Sequence, residues 1–196
     1  MNVYDFDNTI YDGETVIDFF FFCMKKTPSM VRFIPAVMST WAKYKLCVVT
    51  MAELEDQAEK YLRIFLDKIG DLSAAVNAFW DAHQHKIKPF YAETRRKDDV
   101  IISGSCDFLL DEICRRIEIT HCICSSIDLQ TGKLRRICYR EKKPELFRAV
   151  YPNAEIENFY SDSWNDLPMM RLAQNAYIVK GDKIIKANVK GKENVL

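Results

Sequence analysis

Two aspartates, Asp5 and Asp7, follow the short apolar stretch that opens the chain. On an extended chain, residues two apart face the same way, so their carboxylates share a side while Phe6 turns to the other. Like charges held so close repel unless a cation lies beside them. Mg²⁺ suits such a pair, because it takes hard oxygen ligands and keeps water or phosphate in its shell. The plainer alternative is a solvated turn with a chance Asp-x-Asp; its position at the end of an apolar strand argues against that.

Three later positions carry matching chemistry. Ser103 and Gly104 follow Val100-Ile101-Ile102. The Ser103 hydroxyl could hold a phosphate oxygen, Gly104 allows close backbone approach, and a helix expected over 105–116 would offer free N–H groups. Ser105 could equally be that helix's cap. Asp162 and Asp166 form a second acidic pair after a strand expected over 156–160. Acid enrichment at a helix start explains Asp166 more easily than Asp162. Lys143 precedes a helix expected from Pro144 and could neutralise a transferring phosphoryl group, although spacing alone reads it as a surface lysine.

The elements that must position these residues fall into three zones. Residues 2–6 read as a buried strand. Residues 14–91 are helical in pattern. Met30, Phe33, Ile34, Val37, Met38 and Trp41 form one apolar stripe with Pro35 as a kink, and Thr50-Met51-Ala52-Glu53 is a capping box ahead of Leu54, Tyr61, Ile64 and Phe65. From residue 100 onward strands and helices alternate, with a hairpin over 127–139 and a helix over 166–173. The pattern predicts an α/β fold, a doubly wound parallel sheet whose first strand comes from the N-terminus. Ligands of such sheets bind at the carboxyl ends of the strands, where Asp5, Ser103 and Asp162 converge.

Twenty-eight basic residues balance twenty-eight acidic ones, without the basic excess of a nucleic-acid binder. Seven cysteines, Cys23, Cys47, Cys106, Cys114, Cys122, Cys124 and Cys138, follow no disulfide framework, and reduced thiols fit a cytoplasmic protein. The apolar run over 16–24 contains Asp18 and is too short to span a bilayer, so no integral membrane segment is expected. Phe19-Phe20-Phe21-Phe22 cannot all face one core. Packing between the helical zone and the sheet is the plain reading, with one or two rings at a pocket mouth or on a membrane surface as the alternatives. His83 and His85 diverge on a helix, and Cys122 and Cys124 lack a second ligand pair, so neither makes a metal site.

Together these pieces resemble the haloacid dehalogenase superfamily. Asp5-Phe6-Asp7-Asn8-Thr9 looks like its D-x-D-x-T signature, Ser103 like its second motif, Lys143 like its third-motif lysine, and Asp162 with Asp166 like its fourth-motif acidic pair. An all-helical insertion after the first motif is similar to the C1 cap of the phosphoserine-phosphatase-like branch. The resemblance implies a core of residues 1–13 and 92–196, a cap of residues 14–91, and hinges over 11–14 and 89–94. It further implies a Mg²⁺-dependent phosphatase acting on a small phosphate ester, a phosphorylated metabolite or lipid head group. Asp5 is then the nucleophile and Asp7 the general acid and base. Asp5, Asp7 (through its backbone carbonyl) and Asp162 are the metal ligands, with Asp166 behind them. Thr9, Ser103, Gly104 and Lys143 form the phosphate cradle, and Glu14 bears on specificity. Lys142 is also available, but the Pro144-Glu145-Leu146-Phe147 pattern favours Lys143. Ser161 stands where that branch usually has Gly. The superfamily's dehalogenases lack the second aspartate, so Asp7 favours phosphate esters. Phosphotransfer to an alcohol and a non-catalytic phosphate-binding module are the alternatives.

Overall fold

The structure, a computed structural model, describes residues 1–46, 48 and 50–189; Cys47 and the side chain of Leu54 lie outside the described residues. Strands β1 (Asn2–Tyr4), β2 (Val100–Cys106), β3 (Cys122–Ile127), β4 (Leu134–Arg136), β5 (Ile156–Ser161), β6 (Ala173–Lys180) and β7 (Lys183–Lys186) form one sheet in the order β4-β3-β2-β1-β5-β6-β7. The five inner strands are parallel, and β4 and β7 pair antiparallel at the edges. Strand β1 lies between β2 on one side and β5 on the other. The carboxyl end of β1 is therefore where an open α/β sheet has its crevice.

Alternation along the strands splits the core in two. Val3, Val100, Ile102, Ile123 and Phe159 pack on one face with Phe147, Met169 and Met170 of helices α7 (Lys142–Val150) and α8 (Leu167–Met170). Tyr4, Ile101, Cys124 and Tyr160 face the other way, toward Leu109 and Ile113 of α6 (Asp107–Arg116). On that face Tyr4 stacks on Tyr160 with ring centroids 4.8 Å apart, and Tyr160 on Tyr177 at 5.0 Å. Aromatic pairs in register across neighbouring strands help fix which residues oppose which. That matters for β1, which has only three residues.

The stretch between β1 and β2 is helical: α1 (Thr15–Lys26), a 3₁₀ segment Pro28–Phe33, α2 (Ile34–Lys45), α3 (Met51–Ile69), α4 (Leu72–His83) and α5 (Pro89–Thr94). The Thr50–Glu53 capping box opens α3, and the Asp71 side chain caps α4. Phe19 and Phe20 of the four-phenylalanine run are buried; Phe22 lies half-buried against the core cluster and packs on Phe79. Trp80 of α4 donates to the Leu109 carbonyl at 2.8 Å and locks this stretch onto α6.

Several boundaries differ from the sequence pattern. The chain tightens into 3₁₀ before Pro35, which sits in the first turn of α2 rather than kinking a longer helix, because proline lacks the N–H an interior turn needs. Residues 89–94, expected as a hinge strand, form α5. Strand β2 runs on through Ser105 to Cys106, so Ser105 is not a helix cap; α6 starts at Asp107. The helix expected over 166–173 is only the short α8, and Ala173 already belongs to β6.

Gly13 is the tightest turn position. Its φ is +151°, and a Cβ there would lie 2.6 Å from Asp18 Oδ2 and 2.7 Å from Lys86 Nζ. Asp18 is itself held by Lys86 and by the Tyr11 hydroxyl, each at 2.6 Å, so it cannot yield without breaking that cluster. Gly13→Ala is expected to cost about 1–3 kcal/mol, as misplaced side chains at positive φ do. A urea midpoint equal to wild type would show that the cluster gives way freely.

Candidate active site

The ladder between β1 and β5 extends one residue beyond β1: the Asp5 N–H donates to the Tyr160 carbonyl at 2.9 Å. This places the Asp5 side chain at the central carboxyl end, almost wholly buried. The chain then turns sharply, with the N–H groups of Thr9, Ile10 and Tyr11 all directed to the Phe6 carbonyl. Asn8 takes a left-handed conformation at φ 56°, which asparagine tolerates better than most residues. Its carbonyl accepts from Lys88 Nζ at 2.5 Å, and that buried lysine also donates to the Gly181 carbonyl at 3.1 Å. Burial pulls the Lys88 ammonium below its usual value, against the opposing pull of Asp12, Asp162 and Asp182. Lys88 thus ties the turn after Asp7 to the far edge of the sheet.

Lys143 lies in the first turn of α7 and reaches inward. Its Nζ donates to Asp5 Oδ1 at 2.8 Å and to Asp166 Oδ2 at 2.8 Å, and all three residues are buried. Burial alone would discharge this ammonium, but Asp166 and Asp5 outweigh it and hold the lysine well above its usual value. Lys142 instead points outward to Glu145 at 2.7 Å. The Asp5 carboxyl is raised to about 8, chiefly by burial, with Asp166 and Asp162 pushing the same way and Lys143 opposing them. Asp162 is half-buried, and its backbone N–H donates to Thr9 Oγ1 at 2.8 Å. Thr9 Oγ1 in turn lies 3.4 Å from Asp5 Oδ2.

The carboxylate of Asp7 turns elsewhere. Its Oδ1 accepts from the Thr15 N–H at 2.8 Å and from the Thr15 hydroxyl, and its Oδ2 accepts from Ser105 Oγ at 2.5 Å. Ser103 is fully buried, and its hydroxyl oxygen accepts the Ser105 N–H at 3.1 Å. The Gly104 carbonyl accepts from Ser125 Oγ at 2.8 Å. Glu14 precedes α1 and accepts from Asn8 Nδ2 at 2.5 Å. Beside Asp7 opens a cavity of about 290 Å³ between the helical stretch and the sheet, and Glu14, Gly104 and Ser105 share its wall.

Two contributors to this arrangement, Thr15, which aims Asp7, and Lys88, carry no sequence reading as site residues; two others take roles other than those read from the sequence: Ser105, which also aims Asp7, and Ser161, whose hydroxyl donates to Asp166 Oδ2 at 2.8 Å. Ser161 does more than replace a glycine, because it helps satisfy the carboxylate that pairs with Lys143. Ser103 and Ser105 stand two apart, the strand period that puts two hydroxyls on one side. That was the available signal for Ser105.

A buried aspartate at the switch point of the sheet, paired with a lysine and a second aspartate from later crossovers, defines a class of hydrolase fold. The chain belongs to the haloacid dehalogenase-like hydrolase family, whose model matches residues 3–171. Probable phosphatase Rv3661 of Mycobacterium tuberculosis (strain ATCC 25618 / H37Rv) is 30% identical over 106 residues, covering 48% of this chain and 37% of that protein. Uncharacterized protein MT3761 of strain CDC 1551 / Oshkosh matches to the same extent. The match therefore spans well under half the length of these curated relatives. Among solved structures, a protein of unknown function from Bordetella pertussis Tohama I superposes with a TM-score of 0.70 at 16% identity, covering 90% of this chain and 87% of that one. A phosphoserine phosphohydrolase-like protein from Francisella tularensis gives 0.56 at 12% identity, covering 90% and 86%. A phosphoserine phosphatase solved as its phospho-aspartyl intermediate analogue gives 0.52 at 13%, covering 89% and 83%. At such identities these structures share the fold.

Proposed function

We propose that this protein is a phosphatase that hydrolyses a phosphomonoester through an aspartyl-phosphate on Asp5. The observation that carries the reading is the buried Lys143 ammonium held between Asp5 and Asp166, with the Thr9 hydroxyl against the other oxygen of Asp5. Asp5 Oδ attacks phosphorus and the ester oxygen leaves. Lys143, Thr9, Ser103 and the backbone at Gly104 bind the phosphoryl oxygens as charge develops on them. Asp7, fixed by Thr15 and Ser105, gives a proton to the leaving alcohol and then takes one from the water that hydrolyses the intermediate. Residues 14–91 act as a cap over the core formed by 1–13 and 92–196, with Glu14 at their junction bearing on specificity. Its six described cysteines carry no disulfide, which suits a cytoplasmic setting, and no helix among the described residues is long and apolar enough to cross a membrane.

The donor set also fits Mg²⁺. Asp5 and Asp166 flank the Lys143 ammonium, and Asp162 lies near enough to Asp5 to raise its carboxyl, so the donors gathered there are hard oxygens. Among the described residues no three His, Cys, Asp or Glu side chains converge as a metal cage. With the Asp7 carboxylate committed to Thr15 and Ser105, the ligands would be the Asp5 and Asp162 carboxylates and the Asp7 carbonyl, with Asp166 behind. Bound there, Mg²⁺ supplies positive charge to the phosphoryl oxygens and keeps Asp5 ionised.

The test is turnover of p-nitrophenyl phosphate, expected with Mg²⁺ and lost in EDTA; a protein inert toward a broad panel of phosphate esters in Mg²⁺ sinks the reading. Binding is checked separately by thermal unfolding. Mg²⁺ at about a hundred times its Kd is expected to stabilise the wild type by about 2.7 kcal/mol. Asp162→Asn is expected to abolish that shift; an undiminished shift would move the metal elsewhere.

A further inference from the structure

We infer that the alcohol portion of the substrate is apolar, presenting about ten non-hydrogen atoms to the cavity beside Asp7. This rests on the phosphatase reading above and specifies its substrate class.

The cavity of about 290 Å³ touches the catalytic groups on one side only. Asp7, Ser105 and Gly104 lie on its wall, so Gly104 marks the end that meets the phosphoryl group, whereas Asp5, Thr9, Lys143 and Asp166 lie off it. Asp7 is the group that protonates the departing oxygen, so the space next to it belongs to the leaving alcohol and not to the phosphoryl group. From that end the cavity runs into Phe20 of α1, Phe33, and Val37 and Trp41 of α2, so the helical stretch contributes much of its apolar wall.

Charge narrows the class further. Asp7 and Glu14 are the charged residues on the wall, and among the described residues no lysine or arginine lines it. A phosphorylated amino acid would place its carboxylate, and a nucleotide or sugar bisphosphate its second anion, in a space that offers no cation and two carboxylates. Burying such a charge unpaired is prohibitive. Sugar hydroxyls would also face a wall formed mainly by aromatic and aliphatic carbon. An alkyl or prenyl-like chain meets neither obstacle. At roughly 30 Å³ per water-sized group the volume holds about ten such groups.

The experiment is a chain-length series. Monomeric n-alkyl phosphates from ethyl to decyl are hydrolysed in Mg²⁺, with O-phosphoserine alongside. The value of kcat/KM is expected to rise about three- to fourfold per methylene and to level off near eight to ten carbons. A flat series, or O-phosphoserine outpacing octyl phosphate, overturns the inference. Calorimetric binding of n-octyl phosphonate against ethyl phosphonate needs no turnover and is expected to favour octyl by at least about a hundredfold. Equal binding overturns the inference. Octyl preference in a protein that hydrolyses nothing upholds the cavity assignment and sinks the phosphatase reading instead. Val37→Trp fills the cavity and is expected to bring the octyl-to-ethyl ratio near one; a ratio unchanged in this folded variant places the chain elsewhere and overturns the inference. Phosphatidylcholine vesicles carrying phosphatidic acid, compared with monomeric octyl phosphate, show whether the chain is drawn from a bilayer or from solution.

Discussion

Asp5→Asn is expected to abolish turnover of p-nitrophenyl phosphate, by a factor on the order of 10⁴ or more, as removal of a covalent nucleophile does elsewhere. An amide oxygen cannot form the acyl phosphate, and Asp5 is the carboxylate that touches both Lys143 and Thr9. The fold should survive the change. The Asp5 carboxyl is raised to about 8, chiefly by burial, so the metal-free wild-type site disfavours its charged form, a cost that the isosteric amide avoids. In buffer free of divalent cations the urea midpoint of Asp5→Asn is therefore expected at or above that of wild type. Full activity in this variant would remove Asp5 as the nucleophile; lost activity together with a collapsed midpoint would reduce its role to structure. Asp7→Asn makes a useful contrast. p-Nitrophenolate leaves without needing a proton, so formation of the intermediate is largely spared while its hydrolysis, which needs a base, slows by roughly 10²–10⁴. A burst of p-nitrophenol followed by slow turnover is the expected trace, and a rapid steady rate would exclude Asp7 as the base.

The contrast between these two aspartates shows how far the sequence is legible. Asp5 and Asp7 stand two apart after an apolar strand, a local pattern, and β1 does place them at the carboxyl end of the sheet. What the pattern cannot show is that they face different partners: Asp5 toward Lys143, 138 residues on, and Asp7 toward Ser105, 98 residues on. The strand-helix alternation after residue 100 was readable because each apolar run is short and bounded by turn residues. Its boundaries slipped where composition misleads. Ser103-Gly104-Ser105 reads as a turn, yet β2 continues through it because β3 pairs alongside, with a register shift between Ser103 and Cys106. Residues 89–94 lack a long apolar period, yet they form α5, opened by Pro89 in its first turn and carrying the buried Phe90 and Tyr91. Lys88 looked like any charged residue between elements. Only the tertiary fold brings it to the Asn8 and Gly181 carbonyls. The cavity was foreshadowed only by the phenylalanine run, because its wall is shared between helices and sheet.

Lys143→Met carries the largest expected effect on stability. The ammonium is the one cation hydrogen-bonded to both Asp5 and Asp166 among the described residues, and replacing it leaves two buried carboxylates facing each other across an apolar side chain. Breaking a buried pair by removing one partner costs about 3–5 kcal/mol, so a large drop in urea midpoint is expected in metal-free buffer. Turnover is expected to fall by roughly 10²–10³, the loss that follows removal of a donor to a developing oxyanion. The two effects separate in a double variant. Adding Asp166→Asn removes one stranded charge while the amide oxygen still accepts from Ser161, so part of the lost stability should return. Activity should not return with it, because no ammonium then meets the phosphoryl oxygens. Recovery of both would make Lys143 a structural counter-ion alone. Recovery of neither would mean that the cost of Lys143→Met lies in packing around α7 rather than in the charge it neutralises.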